Sequence, residues 1–174
     1  MLNAKHLPVL MYHHVSRCPG LVTLSPETFC EQMKWLAENN WRTVTSAELE
    51  YFYQGGTLPR KSVMLTFDDG YLDNWFRAWP VLKEYNLHAH IFLITGLVGE
   101  GEVRSRQEQE YSHRDCEQLI ADNRSDDVML RWSEVREMGD SGLVEFHVHT
   151  HSHKRWDRLS VSRVEQCRLM KEDI

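Results

Sequence analysis

The chain has 174 residues and a formal net charge of −6, with 41% hydrophobic and 26% charged residues. That length and balance fit one globular domain with a sizeable core, and they exclude a disordered chain, a collagen repeat or a coiled-coil rod. The acidic balance speaks against nucleic acid, which calls for a basic face, and nothing approaches the roughly 18 apolar residues of a transmembrane segment.

The longest early apolar run, Leu7 to Met11, is too short for a signal-peptide core and ends in Tyr12, His13 and His14. With Met1 as the true start, the expectation is a cytoplasmic protein. Leu7 to Tyr12 reads as a short strand buried on both faces. Ser25-Pro26 reads as an N-cap followed by proline at the first helical position. Phe29, Met33 and Leu36 follow at helical spacing, which predicts a helix over 26–39 packed on one side. Arg42 to Thr45 is a short strand, and Thr45 with Glu48 forms a capping-box pattern that opens a helix over 46–54.

Ser62 to Phe67 is a strong strand followed by Asp68-Asp69-Gly70. Residues 71–85 are helical in pattern, with Pro80 expected to kink or restart the helix. Trp75 and Trp79, at i and i+4, are read as core packing in preference to a sugar-stacking surface. Ala89 to Thr95 is another strand, and residues 97–131 are a polar insertion with one short helix near 112–121. A helix over 132–138 follows, with Ser133 a candidate cap; then come a strand over 143–149 and a helix from Ser160 onward. Alternating strands and helices predict an α/β architecture with a mainly parallel sheet, as a single domain over residues 1–174. The four cysteines, Cys18, Cys30, Cys116 and Cys167, form no CxxC and are expected to be free thiols.

Two constellations carry chemistry. In Thr66-Phe67-Asp68-Asp69-Gly70, neighbouring carboxylates would point to opposite faces of a strand. They serve one site only where the strand has ended and the chain is turning, which Gly70 permits. The plain alternative is a strand-ending turn with an aspartate capping the next helix. The second constellation is His147-Val148-His149-Thr150-His151-Ser152-His153, part of a total of ten histidines. In a straight strand His149 and His153 would lie about 13 Å apart. Metal–nitrogen bonds of about 2.0–2.1 Å then forbid a shared ion. If the strand ends near His149 and the chain curls into a helical turn, positions i and i+4 become neighbours and the two rings could hold one metal. His147 and His151 read as solvated strand-end residues. One carboxylate, two imidazoles and a spare carboxylate form the donor set of a catalytic metal site with a free position.

Here the sequence resembles a known family. Thr66 to Gly70 resembles the first motif of the NodB-type polysaccharide deacetylases, carbohydrate esterase family 4. His149-Thr150-His151-Ser152-His153 is similar to that family's His-Ser/Thr-x-x-His motif. Pro8-Val9-Leu10-Met11-Tyr12-His13 and Leu143-Val144-Glu145-Phe146 resemble two of its strands. The resemblance implies a distorted (β/α) barrel and metal-dependent removal of N-acetyl groups from amino sugars. It implies Asp68 as general base and Asp69, His149 and His153 as ligands to one divalent ion, usually zinc. Tyr71, beside Gly70, is a candidate to line the substrate site. The implied substrate is an N-acetylated glycan or glycolipid, and the absence of a leader pattern favours a lipid-linked or nucleotide-linked precursor. His90 stands where the family has a short side chain, and it reads as an outer-face structural residue. The family's later Arg-x-Pro, Asp-and-Trp and Leu-x-Leu-His motifs are not found in the 21 residues after His153. The barrel is therefore expected to be incomplete at the C-terminus, with part of its core uncovered. The alternative function is a catalytically impaired metal- or sugar-binding fragment. A dehalogenase-type phosphotransferase would need Asp-x-Asp, and an iron oxygenase would leave the spare Asp68 without a role.

Overall fold

The computed structural model describes residues 3–106 and 109–174; Met1 and Leu2, and Gln107 and Glu108 of the expected insertion, lie outside the described residues. The chain begins with β1 (Val9–Tyr12), and then β2 (His14–Val15) and β3 (Thr23–Leu24) pair as a small parallel sheet. Helix α1 (Pro26–Glu38) starts at Ser25, whose hydroxyl accepts the Thr28 N–H at 3.1 Å, with Pro26 in the first turn. It leads through β4 (Arg42–Thr43) into α2 (Ser46–Tyr53), which opens with the Thr45–Glu48 capping box. The rest of the framework is β5 (Ser62–Asp69), α3 (Trp79–Tyr85), β6 (Ala89–Leu93), α4 (His113–Ala121), α5 (Trp132–Asp140), β7 (Val144–Val148) and α6 (Arg163–Glu172).

The main sheet runs β1-β5-β6-β7, all parallel, with β4 pairing the start of β5. Among the described residues no hydrogen bonds close it into a ring. One face carries Val63, Leu65, Phe67, Ala89, Ile91, Leu93 and Val144, which pack on Phe29, Met33 and Leu36 of α1, Leu82 of α3 and Met138 of α5. This apolar layer is the core, and parallel strands need such helix cover. The opposite face follows from the period of two. Thr66 aligns with His90 and Glu145, and Asp68 aligns with Phe92 and His147. At its β1 edge Met11 is 63% exposed.

Several expectations shift in detail. The helix expected over 71–85 is a π-helical turn, Asn74–Ala78, followed by α3. The Trp79 N–H reaches back to the Asn74 carbonyl, and Pro80, which has no N–H to give, sits in the first turn of α3. Trp75 and Trp79 are buried in the core. Helix α4 forms within the polar stretch, capped by Ser112. Ser133 caps nothing: Glu134 accepts the Arg131 N–H at 2.9 Å, while the Ser133 hydroxyl is buried without a partner. The four cysteines are free. No described helix is long and apolar enough to cross a membrane.

Candidate functional site

Because β5 and β7 are parallel, their C-terminal ends lie at the same end of the sheet. Strand β5 ends at Asp69, whose φ of 73° is in the left-handed region, and Gly70 follows with φ 83°. Two successive left-handed residues turn the chain, so Asp68 and Asp69 need not face opposite ways as they would within a strand. A side chain on Gly70 would also collide with Leu93, at 2.5 Å from its Cδ2.

Strand β7 ends at Val148, and Thr150 and His153 both adopt positive φ. The expected curl is therefore two left-handed kinks, not a helical turn. The His153 N–H donates to Thr150 Oγ1 at 2.9 Å, and the His149 N–H to the Leu93 carbonyl at 2.7 Å. The result brings the His149 and His153 rings to a centroid separation of 5.0 Å. Both face Asp69: its Oδ1 is 3.6 Å from His149 Nε2 and 3.9 Å from His153 Nε2. Asp69 is buried, and this oxygen has no hydrogen-bond partner. One carboxylate oxygen and two imidazole nitrogens, all within 4.8 Å of one another, are a donor set that fits a divalent ion. A buried carboxylate oxygen left without a hydrogen bond is costly, and a cation would satisfy it.

Two residues escaped the sequence reading. His13 Nε2 lies 3.9 Å from Asp68 Oδ2. Its place at the end of an apolar strand, in the Pro8–His13 stretch that resembles a family strand, gave it no role there. Asp173 holds the histidine loop from the far end of the chain. Its carbonyl accepts the His151 N–H at 2.6 Å, and its carboxylate accepts the Ser152 N–H and Trp156 Nε1–H, each at 2.8 Å. Burial opposes the charge on Asp173, but the bonds from Trp156 and Ser152 outweigh it and hold the carboxyl below its ordinary range. No sequence pattern links Asp173 to a loop some twenty residues away.

Tyr71 does not line an open surface. It is 2% exposed, stacks on His14 at 3.7 Å between ring centres, and donates to Glu117 Oε1 at 3.2 Å. Burial pushes its phenol far above the ordinary value. Below it, His14 Nδ1 is 2.7 Å from Asp73 Oδ2, and His14 Nε2 is 3.2 Å from His113 Nδ1. Burial pushes the Asp73 carboxyl up despite the pull of His14. His90 is also misplaced by the sequence reading. It is fully buried on the face opposite the helix-packed core, because its strand position pairs with Thr66 and Glu145. His147, expected to be solvated, is half-buried beside it, with its Nε2 at 3.1 Å from His90 Nδ1. A cavity of about 620 Å³, with Arg104, Arg124, Arg131 and Asp126 in its lining, touches none of Asp68, Asp69, His149 or His153.

Residues 55–173 match the family model for polysaccharide deacetylases. The chain belongs to the polysaccharide deacetylase family. Like other members of that family, it has parallel strands with helices packed outside them, a (β/α) barrel-like fold. IcaB from Ammonifex degensii superposes with a TM-score of 0.71 and 31% identity, over 96% of this chain and 64% of that one. The poly-beta-1,6-N-acetyl-D-glucosamine N-deacetylase of Staphylococcus aureus (strain MRSA252) is 31% identical over 149 residues, 86% of this chain and 42% of that protein. YxkH of Bacillus subtilis (strain 168) is 43% identical over 94 residues, 53% of this chain and 33% of that protein. The chain thus spans between a third and a half of the length of these curated relatives.

Proposed function

We propose that this polysaccharide deacetylase hydrolyses the N-acetyl group of an amino sugar in a glycan or glycolipid, using one divalent ion, zinc, held by Asp69, His149 and His153. The observation that carries the reading is the buried, unpartnered Asp69 Oδ1 facing His149 Nε2 at 3.6 Å and His153 Nε2 at 3.9 Å. Family membership and the name of the S. aureus relative support the substrate class.

Asp69, His149 and His153 would hold the ion, which when bound would supply the Lewis acidity that activates water near neutral pH and polarises the amide carbonyl. Asp68, next along the chain, is the general base that takes the proton from the attacking water. His13 Nε2, 3.9 Å from Asp68 Oδ2, supplies a positioning contact that limits where that carboxylate points. Leu93 keeps the turn tight through its close approach to Gly70.

The test pairs zinc stoichiometry with acetate release from an N-acetylglucosamine oligomer. Asp69→Ala should lose the ion of this site and all acetate release. Asp68→Asn should keep the ion and lose activity by about 10²–10⁴-fold. Unchanged zinc content in Asp69→Ala would refute the ligand assignment. Zinc binding without acetate release by the wild-type chain would favour the metal- or sugar-binding alternative.

A further inference from the structure

We propose that His88, His90 and Glu145 form a second, structural site for a divalent transition-metal ion, zinc, lower in the same sheet. The site shares no residue with Asp69, His149 and His153, and it does not rest on the deacetylase reading. Its donor atoms all lie within 4.8 Å of one another. His88 Nε2 is 3.3 Å from Glu145 Oε1, and His90 Nδ1 is 3.7 Å from Glu145 Oε2. Tetrahedral zinc with bonds of about 2.0–2.2 Å sets its donors roughly 3.3–3.6 Å apart, so these separations need little adjustment.

The surroundings orient each donor toward that point. His90 Nε2 is 2.8 Å from the Val44 carbonyl, which can only accept. The neutral ring therefore carries its proton on Nε2 and its lone pair on Nδ1, the atom facing Glu145. A ligand histidine anchored through its other nitrogen is the usual outer-shell arrangement of metal sites. The Ser46 N–H, at the start of α2, donates to both Glu145 oxygens at 3.3 and 3.1 Å. His88 is 8% exposed, and its buried Nε2 has no hydrogen-bond partner, since the Glu145 contact lacks hydrogen-bond geometry. His147 Nε2, hydrogen-bonded to His90 Nδ1 at 3.1 Å and 3.9 Å from Glu145 Oε2, borders the site without belonging to its set of three mutually close donors, and an ion would replace that hydrogen bond. Ser46 Oγ stands 3.5 Å from His90 Nδ1 and 3.3 Å from His147 Nε2, longer than a strong hydrogen bond. Imidazole-rich sets of this kind suit zinc over magnesium or calcium. An ion here would tie β6 and β7 together beside the start of α2.

The deciding protein is the Asp69→Ala/His149→Ala double variant, stripped with a chelator and reloaded with zinc chloride. We expect it to retain one equivalent of zinc and to melt at a higher temperature with zinc than without. Adding His88→Gln and Glu145→Gln should remove both effects. If those additions prevent folding, anomalous diffraction at the zinc edge from the double variant decides. A peak between His88, His90 and Glu145 supports the site, and a map without one overturns it. Failure of the double variant to hold zinc, or retention that survives His88→Gln and Glu145→Gln in a folded protein, also overturns it.

Discussion

Asp69 combines an unfavourable backbone with a buried carboxylate oxygen that has no hydrogen-bond partner. A residue other than glycine at φ 73° is strained, and aspartate is among the few that tolerate it. The strain places its carboxylate where His149 and His153 converge. Asp173 serves the same geometry from outside by pinning the backbone between the two histidines. Asp173→Ala removes the bonds to Ser152 and Trp156 and frees the loop. Such outer contacts are typically worth about 10–100-fold in metal affinity, and zinc affinity should fall by that factor in a chelator-competition titration. Affinity equal to wild type would show that the loop holds its shape unaided. The adjacent aspartates and the i, i+4 histidines were legible as residue types at telling spacings. His13 and Asp173 were not, because their roles come from contacts distant in sequence.

At the scale of elements, the site depends on how two strands end. Strand β5 turns through Asp69 and Gly70, and the space beside Gly70 is filled by Leu93 of β6. Gly70→Ala puts a methyl group 2.5 Å from Leu93 Cδ2 at φ 83°. Backbone strain and overpacking together should cost about 2–4 kcal/mol, measured as a lower urea midpoint. An unchanged midpoint would mean that the Leu93 side chain turns aside and the backbone holds its positive φ at no cost. The helix starts were readable, because Ser25-Pro26 and Thr45 with Glu48 carry their caps in local sequence. The π-helical turn before Pro80 was readable only as a disturbance. Its form depends on how Asn74, Trp75 and Ala78 are buried.

The whole molecule has one sheet face sealed by helices and another lined with polar and titratable groups. Away from that sheet, at the start of α4, burial and then the charge of His14 hold the His113 imidazole below its ordinary value. An unfolded histidine titrates near 6.5, so below about that pH the unfolded chain binds more protons than the folded one. The contribution of His113 is therefore neutral above about pH 6.5, and it lowers stability as the pH falls from there toward the folded value. Melting temperatures from pH 8 to pH 5 should decline on the acid side, and His113→Gln should shallow that decline. Parallel curves for the two proteins would assign the acid loss to other groups.

By itself the sequence determined the α/β class, most strands and helices, and the pairing of an Asp-Asp turn with a histidine cluster. These are local properties: hydrophobic period, capping residues and motif spacing are written in neighbouring positions. The tertiary structure decided which atoms meet. The register of β5, β6 and β7 sent His90, Glu145 and His147 to one face, with His90 buried and the other two half-buried beside it, a grouping that no local pattern announced. The same packing took Tyr71 out of the expected site and stacked it on His14. Contacts between residues far apart in sequence follow from how strands pair and helices cover them, and no local pattern encodes that.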